Sequence, residues 1–124
     1  MSDIIGIGTD IIEISRFKAS LERQGDSFLK RLFTSEEQQY CKAHKEQALR
    51  FAARFAAKEA VAKALGCGIG KLLGWHDIVV RNTDSGAVEA MLSAEAKKRF
   101  KDISIKLSIS HEEHYAIAFA IALK

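Results

Sequence analysis

Phe55-Ala56-Ala57-Lys58-Glu59-Ala60-Val61-Ala62-Lys63 is the stretch on which the reading of this chain turns. It lies inside an alanine-rich run from about Glu46 to Leu65 with no glycine or proline, which predicts one long helix. Gly66 follows as a natural left-handed cap. At about 100° per residue, Ala52 and Phe55 fall within about 40° of Glu59, and Ala56 about 60° away. Glu59 therefore sits near the middle of the inward, apolar face, where a lone carboxylate is costly. Lys63 is one turn further along the same face. Two readings stay open for this pair. It is either an ordinary i,i+4 ion pair on a helix, or a metal-held carboxylate with a lysine placed for an anionic group. Arg50, Arg54 and Lys58, spaced by four, predict a basic stripe on the opposite side, either solvated or clamping phosphate.

Upstream, residues 3–8 predict a short buried strand running into Gly6-Ile7-Gly8-Thr9-Asp10. Asp10 is expected just past the strand end, where it either caps the next helix or faces a ligand. Two carboxylates completed by water and phosphate oxygens suit magnesium, a hard cation that rarely takes an all-protein cage. Residues 13–23 predict a helix with Ile14, Phe17 and Leu21 inward, and with Arg16, Lys18 and Arg23 on a basic outer side. Thr34-Ser35-Glu36-Glu37 fits a capping box that opens a helix to about residue 44.

Downstream, Gly66, Gly68 and Gly70 predict a loop of little bulk. Strands at 77–82 and 86–92 flank the turn sequence Asn82-Thr83-Asp84-Ser85-Gly86, and Ser93 caps a short helix to about Phe100. Two last strands, at about 103–110 and 114–123, turn through His111-Glu112-Glu113. In the final strand Tyr115, Ile117, Phe119, Ile121 and Leu123 alternate with alanines, so a strand covered on both faces is expected. The mixed order of elements predicts an α+β fold, helices packed on a mostly antiparallel sheet, in a single domain over residues 1–124.

Composition narrows the function. Hydrophobic residues make up 48% of the 124 and charged residues 28%, as in an ordinary globular chain. A net charge of +3 favours an acidic partner or a phosphate-bearing ligand. A nucleic-acid binder would account for the basic stripe but not for Glu59 and Lys63, and aromatic residues, at 8%, form no stacking pattern. Nucleic acid is therefore not an expected partner. Cys41 and Cys67 have no zinc spacing and no disulfide density, and His111 has no companion ligand nearby in sequence. No apolar run approaches the ~18 residues of a membrane span, and Met1-Ser2-Asp3-Ile4-Ile5 has no basic segment of a signal peptide. Membrane insertion is not expected, and the expected compartment is the cytoplasm.

Three segments, taken in order, resemble the holo-acyl-carrier-protein synthase family, the small bacterial phosphopantetheinyl transferases. They are Gly6-Ile7-Gly8-Thr9-Asp10, Arg54-Phe55-Ala56-Ala57-Lys58-Glu59-Ala60 with Lys63, and Ser108-Ile109-Ser110-His111. The resemblance covers essentially the whole chain. It implies transfer of 4'-phosphopantetheine from coenzyme A to a serine of apo-acyl carrier protein, in support of fatty acid biosynthesis. Asp10 and Glu59 would hold Mg2+, and Lys63 would face the coenzyme A pyrophosphate. Arg54 and His111 match positions that contact the coenzyme A nucleotide, and Arg16, with Arg23 beside it on the basic helix, would meet the acidic carrier. The resemblance also implies a homotrimer with active sites between subunits. The family's Gly-Lys-Pro run is replaced here by Gly86-Ala87-Val88, and Glu112 stands where a small hydroxyl residue is common.

Overall fold

The computed structural model describes residues 3–124; Met1 and Ser2, part of the segment weighed for a signal peptide, lie outside the described residues. Strand β1 (Ile4–Glu13) leads into α1 (Ile14–Gln24), α2 (Asp26–Leu32) and α3 (Ser35–Lys42). The long helix α4 (Gln47–Ala64) follows, then a 3-10 turn (Trp75–Asp77), β2 (Ile78–Asn82), β3 (Val88–Leu92), α5 (Ala94–Arg99), β4 (Ser104–His111) and β5 (Tyr115–Leu123). The strands form two antiparallel sheets, β1-β5-β4 and β2-β3, and α4 packs against both. The α+β expectation holds, with the predicted sheet divided in two.

The register explains the packing. Gly6, Gly8, Asp10 and Ile12 of β1 stand opposite Ala122, Ala120, Ala118 and Ala116 of β5. Residues paired in this way share a face, and those four alanines are all buried. This is the face that receives α4, which offers Ala56, Ala57, Ala60 and Ala64, all buried as well. Small residues on both sides let backbone approach backbone. A Cβ built on Gly8 would overlap the carbonyl oxygen of Ala60, and one on Gly6 the carbonyl oxygen of Ala64.

A second apolar cluster fills the other side of α4, where Phe17, Phe28, Phe33 and Phe51 pack with Leu29 and Leu32. Phe17 meets Phe28 at 5.5 Å and Phe55 at 5.6 Å between ring centroids, tilted geometries that aromatic pairs favour. Helix α4 is thus covered on opposite sides, which corrects the reading of Arg50, Arg54 and Lys58 as a solvated stripe. Lys58 is fully buried and pairs with Glu37 at 2.6 Å, while Arg54 is 3% exposed. A helical wheel gives directions only, and here two directions lead into core.

Most local signals match. Thr34 and Glu37 form the capping box, Ser93 accepts from the Ala96 amide, and Gly66 takes a positive φ of 85°. Glu37 does more than cap, since its other oxygen accepts from the Val80 amide at 2.8 Å and ties α3 to β2. Three expectations need correction. Strand β1 extends to Glu13, because Thr9 to Glu13 pair with Phe119 to Tyr115; Asp10 is therefore inside the strand and caps nothing. Helix α2 was not anticipated; Gly25, at φ 68°, separates it from α1, and Phe28, Leu29 and Leu32 anchor it. Finally, within one chain β5 is covered on its alanine face alone. Tyr115, Ile117 and Phe119 are 43%, 42% and 45% exposed, alongside the exposed Ile7 and Ile11 of β1.

The glycine contacts yield a direct test. Gly8→Ala should destabilise the fold by about 1–3 kcal/mol or more, the range for overpacking a close contact, as read by chemical denaturation. Gly86→Ala, where the added Cβ meets nothing within 4 Å, should cost only about 1 kcal/mol for its positive φ.

Candidate functional site

The close fit of β1 on α4 determines what surrounds Asp10. One pleat period beyond Gly8, the Asp10 side chain emerges beside the last turns of α4. Lys63 reaches back across the gap, donating to the Thr9 carbonyl at 3.0 Å and approaching Asp10 Oδ1 at 3.4 Å. The other carboxylate oxygen, Oδ2, is buried and has no hydrogen-bond partner. Glu59, one turn before Lys63, is half-buried. Among the described residues the ion pair of Lys63 is with Asp10 and not with Glu59, so the ordinary i,i+4 pairing is not formed.

The electrostatics follow from this crowding. Burial holds the Asp10 carboxyl above its ordinary 3.8, against the opposing pull of Lys63. Burial also raises Glu59 above 4.5; the Asp10 charge adds to that rise, and Lys63 counters it. Two partly buried carboxylates, the charge of Asp10 raising Glu59 and one Asp10 oxygen left unpartnered, fit a hard divalent cation, which would relieve that repulsion. Among the described residues no group of three or more His, Cys, Asp or Glu is gathered as a metal site. Two carboxylates completed by water and ligand oxygens are the arrangement magnesium commonly takes.

The structure therefore brings Asp10, Glu59 and Lys63 together and holds the other candidates apart. Arg54 points to the far side of α4, where its guanidinium lies 3.9 Å from the Tyr40 ring centroid and Nη2 donates to Asn82 Oδ1 at 2.7 Å. Its Nε is buried without a partner. His111 closes β4 opposite Ala116 and is exposed. Arg16 and Arg23 are both exposed on α1.

Arg16 also rims a cleft of about 500 Å³ that begins at Ile11, the residue after Asp10 on β1. Ile12, Phe28, Phe55 and Trp75 line it, with Arg16 and Arg31 as its basic members. Trp75 is stacked on Phe55 at 5.0 Å. Sequence reasoning missed the contributions of Arg31, Phe28 and Trp75. The grouping of Phe28 and Leu29 with Leu32 was the one available signal, a single turn long.

The family model for the 4'-phosphopantetheinyl transferase superfamily matches residues 6–120. Over 117 residues the chain is 45% identical to the holo-[acyl-carrier-protein] synthase of Protochlamydia amoebophila, covering 94% of this chain and 96% of that relative. Among solved structures, the holo-[acyl-carrier-protein] synthase of Neisseria meningitidis superposes with a TM-score of 0.92 at 34% identity, covering 98% of this chain and 100% of that one. The Helicobacter pylori synthase in complex with coenzyme A gives a TM-score of 0.86 at 37% identity, covering 94% and 98%.

The carboxylate pair carries a measurable cost. A carboxyl whose folded pKa is raised keeps its proton in the folded chain over a window where the unfolded chain has lost it. Stability from such a group is present at low pH and falls as pH rises from the ordinary values through the raised ones. Glu59→Gln, which mimics the protonated form, should therefore melt about 2–5 °C higher than the parent near neutral pH in chelator. The gap should close as the pH drops below about 4. A variant that melts lower at neutral pH would show that Glu59 is not under this strain.

Proposed function

The chain belongs to the 4'-phosphopantetheinyl transferase superfamily, and from that membership we propose that it converts apo-acyl carrier protein to the holo form, taking phosphopantetheine from coenzyme A. The observation that carries the reading is the junction of Asp10, Glu59 and Lys63, built by the β1–α4 contact. The carrier serine hydroxyl attacks the phosphorus that bears pantetheine. A new P–O bond forms, the bond to the second phosphate breaks, adenosine 3',5'-bisphosphate leaves with the electron pair, and the serine proton passes through a base at the site to solvent. Transfers of this kind depend chiefly on positioning and charge neutralisation.

Asp10 and Glu59 would hold magnesium. When bound, the ion supplies charge neutralisation at the pyrophosphate. Lys63 places an ammonium next to the same carboxylate and is set to meet phosphate oxygens as charge develops. Arg54, on the other side of α4 where it borders a shallow pocket with Tyr40 and Asn82, would serve the nucleotide end, and His111 would serve it from the exposed end of β4. The cleft next to Ile11, with an apolar floor and two arginines, Arg16 and Arg31, against the single carboxylate of Glu13, suits an acidic, amphipathic carrier helix. Arg23, one heptad beyond Arg16 on α1, would extend that basic edge.

The reading extends to a homotrimer, with cytoplasmic location and a role in fatty acid biosynthesis. Its physical support is the outward face of β1 and β5, where Ile7, Ile11, Ile117 and Phe119 form a contiguous apolar surface suited to burial against a further copy. No helix among the described residues is long and apolar enough to cross a membrane.

Incubation of apo-acyl carrier protein with the chain, coenzyme A and magnesium should add one phosphopantetheinyl mass, read by intact mass spectrometry. Chelator should abolish the gain, and Asp10→Ala should slow it about 100-fold or more. A chain that folds and binds magnesium yet leaves several carriers unmodified would refute the activity. Sedimentation should give a trimer, with Phe119→Lys shifting it to smaller species; a monomeric parent would refute the shared site.

A further inference from the structure

Lys58 has no part in the transfer just described, yet its whole side chain is buried inside the molecule. An ammonium has three donors, and here three acceptors surround it. They are the Leu32 carbonyl at 2.8 Å, the Trp75 carbonyl at 2.9 Å and Glu37 Oε1 at 2.6 Å. Burial lowers the Lys58 pKa, while Glu37 opposes that shift and favours the charge. Buried pairs of this sort add little stability over a well-packed apolar substitute. The position of the acceptors points to geometry instead.

Leu32 ends α2, where a helix leaves its last carbonyls without intrahelical partners. Trp75 opens the 3-10 turn. Both residues line the cleft beside Asp10, and the Trp75 ring completes the wall by stacking on Phe55. Glu37 fastens the same ammonium to α3 and β2 through the Thr34 and Val80 amides. One point charge on α4 thus sets the spacing of two wall segments that do not otherwise adjoin in sequence.

We propose that Lys58 is a positioning residue for carrier-protein recognition, holding Leu32 and Trp75 at the separation that shapes the docking cleft. The inference rests on the reading of that cleft as the carrier surface. It assigns Lys58 an effect on the carrier and none on coenzyme A, although Lys58 directly precedes Glu59.

The test uses Lys58→Gln, with Lys58→Met/Glu37→Gln as a second variant that leaves no unpaired charge. Folding is checked by circular dichroism. Trp75, the single tryptophan of the chain, reports on the wall through its emission and its quenching by iodide. The expected result is a carrier KM raised about tenfold, with kcat and the coenzyme A KM within about twofold. Trp75 emission should move to the red and quench more readily. A folded variant with unchanged Trp75 emission and carrier KM, or with both KM values raised equally, would overturn the proposal. So would failure of both variants to fold, which would make Lys58 a stability element alone. Arg16→Glu, on the cleft rim and away from Lys58, separates the two levels of the argument. An unchanged carrier KM in Arg16→Glu defeats the reading of the cleft itself. A raised one, beside an unaffected Lys58 variant, defeats only the positioning role.

Discussion

Everything at the site depends on how closely β1 lies on α4. Gly6 and Gly8 have no side chains to hold the strand away, and the carbonyls of Ala64 and Ala60 occupy the space where Cβ atoms would be. At this separation the next residue on the same face, Asp10, cannot avoid the last turns of the helix. Glu59 and Lys63 are there because they are one helical turn apart and Lys63 can bridge back to the strand. Residues with no functional groups thus determine which functional groups meet. The strain between the two carboxylates is the result, and it is the property a cation site needs.

The helix itself is used on several sides at once. Alanines face the three-stranded sheet, aromatic residues gather under α1 to α3, and two basic residues enter the interior instead of pointing to water. Both meet groups distant along the chain, Lys58 with Leu32, Glu37 and Trp75 taking all three of its donors, and Arg54 with Tyr40 and Asn82 while its Nε stays unpartnered. Such a helix works as a hub more than as an amphipathic cover.

Much of this was legible from the residues. The capping box at Thr34, the Ser93 cap, the Gly66 terminus and the hairpin turn are local chemistry, and local chemistry is what a sequence displays. Asp10, Glu59 and Lys63 stood out because charges on an apolar face conflict with their surroundings. The misreadings have a common cause, since each concerns what covers a surface. The stripe at Arg50, Arg54 and Lys58 has the spacing of a wet face, and nothing within the helix announces that α2, α3 and β2 lie over it. Helix α2 is too short at seven residues to establish a period. In β5 the larger residues, which sequence logic sends inward, face outward, while the alanines take the interior because α4 comes so close. Asp10 was placed past a strand that in fact continues, because its pairing with Ala118 is a property of the sheet and not of the residue.

That pairing also bears on how the molecule is made. Thr9 bonds to the Ala118 carbonyl across 109 positions of chain, and among the described residues β1 has β5 as its only strand neighbour. A ribosome therefore delivers Asp10 long before the strand that aligns it. Until β5 emerges, β1 has no edge to join and the alanine face of α4 has no complete sheet to rest on. Contacts of such long range form late and slowly. The centre assembles only once β5 has been made, so a chain stalled short of that strand would carry every residue of the acidic pair and the lysine without ever aligning them.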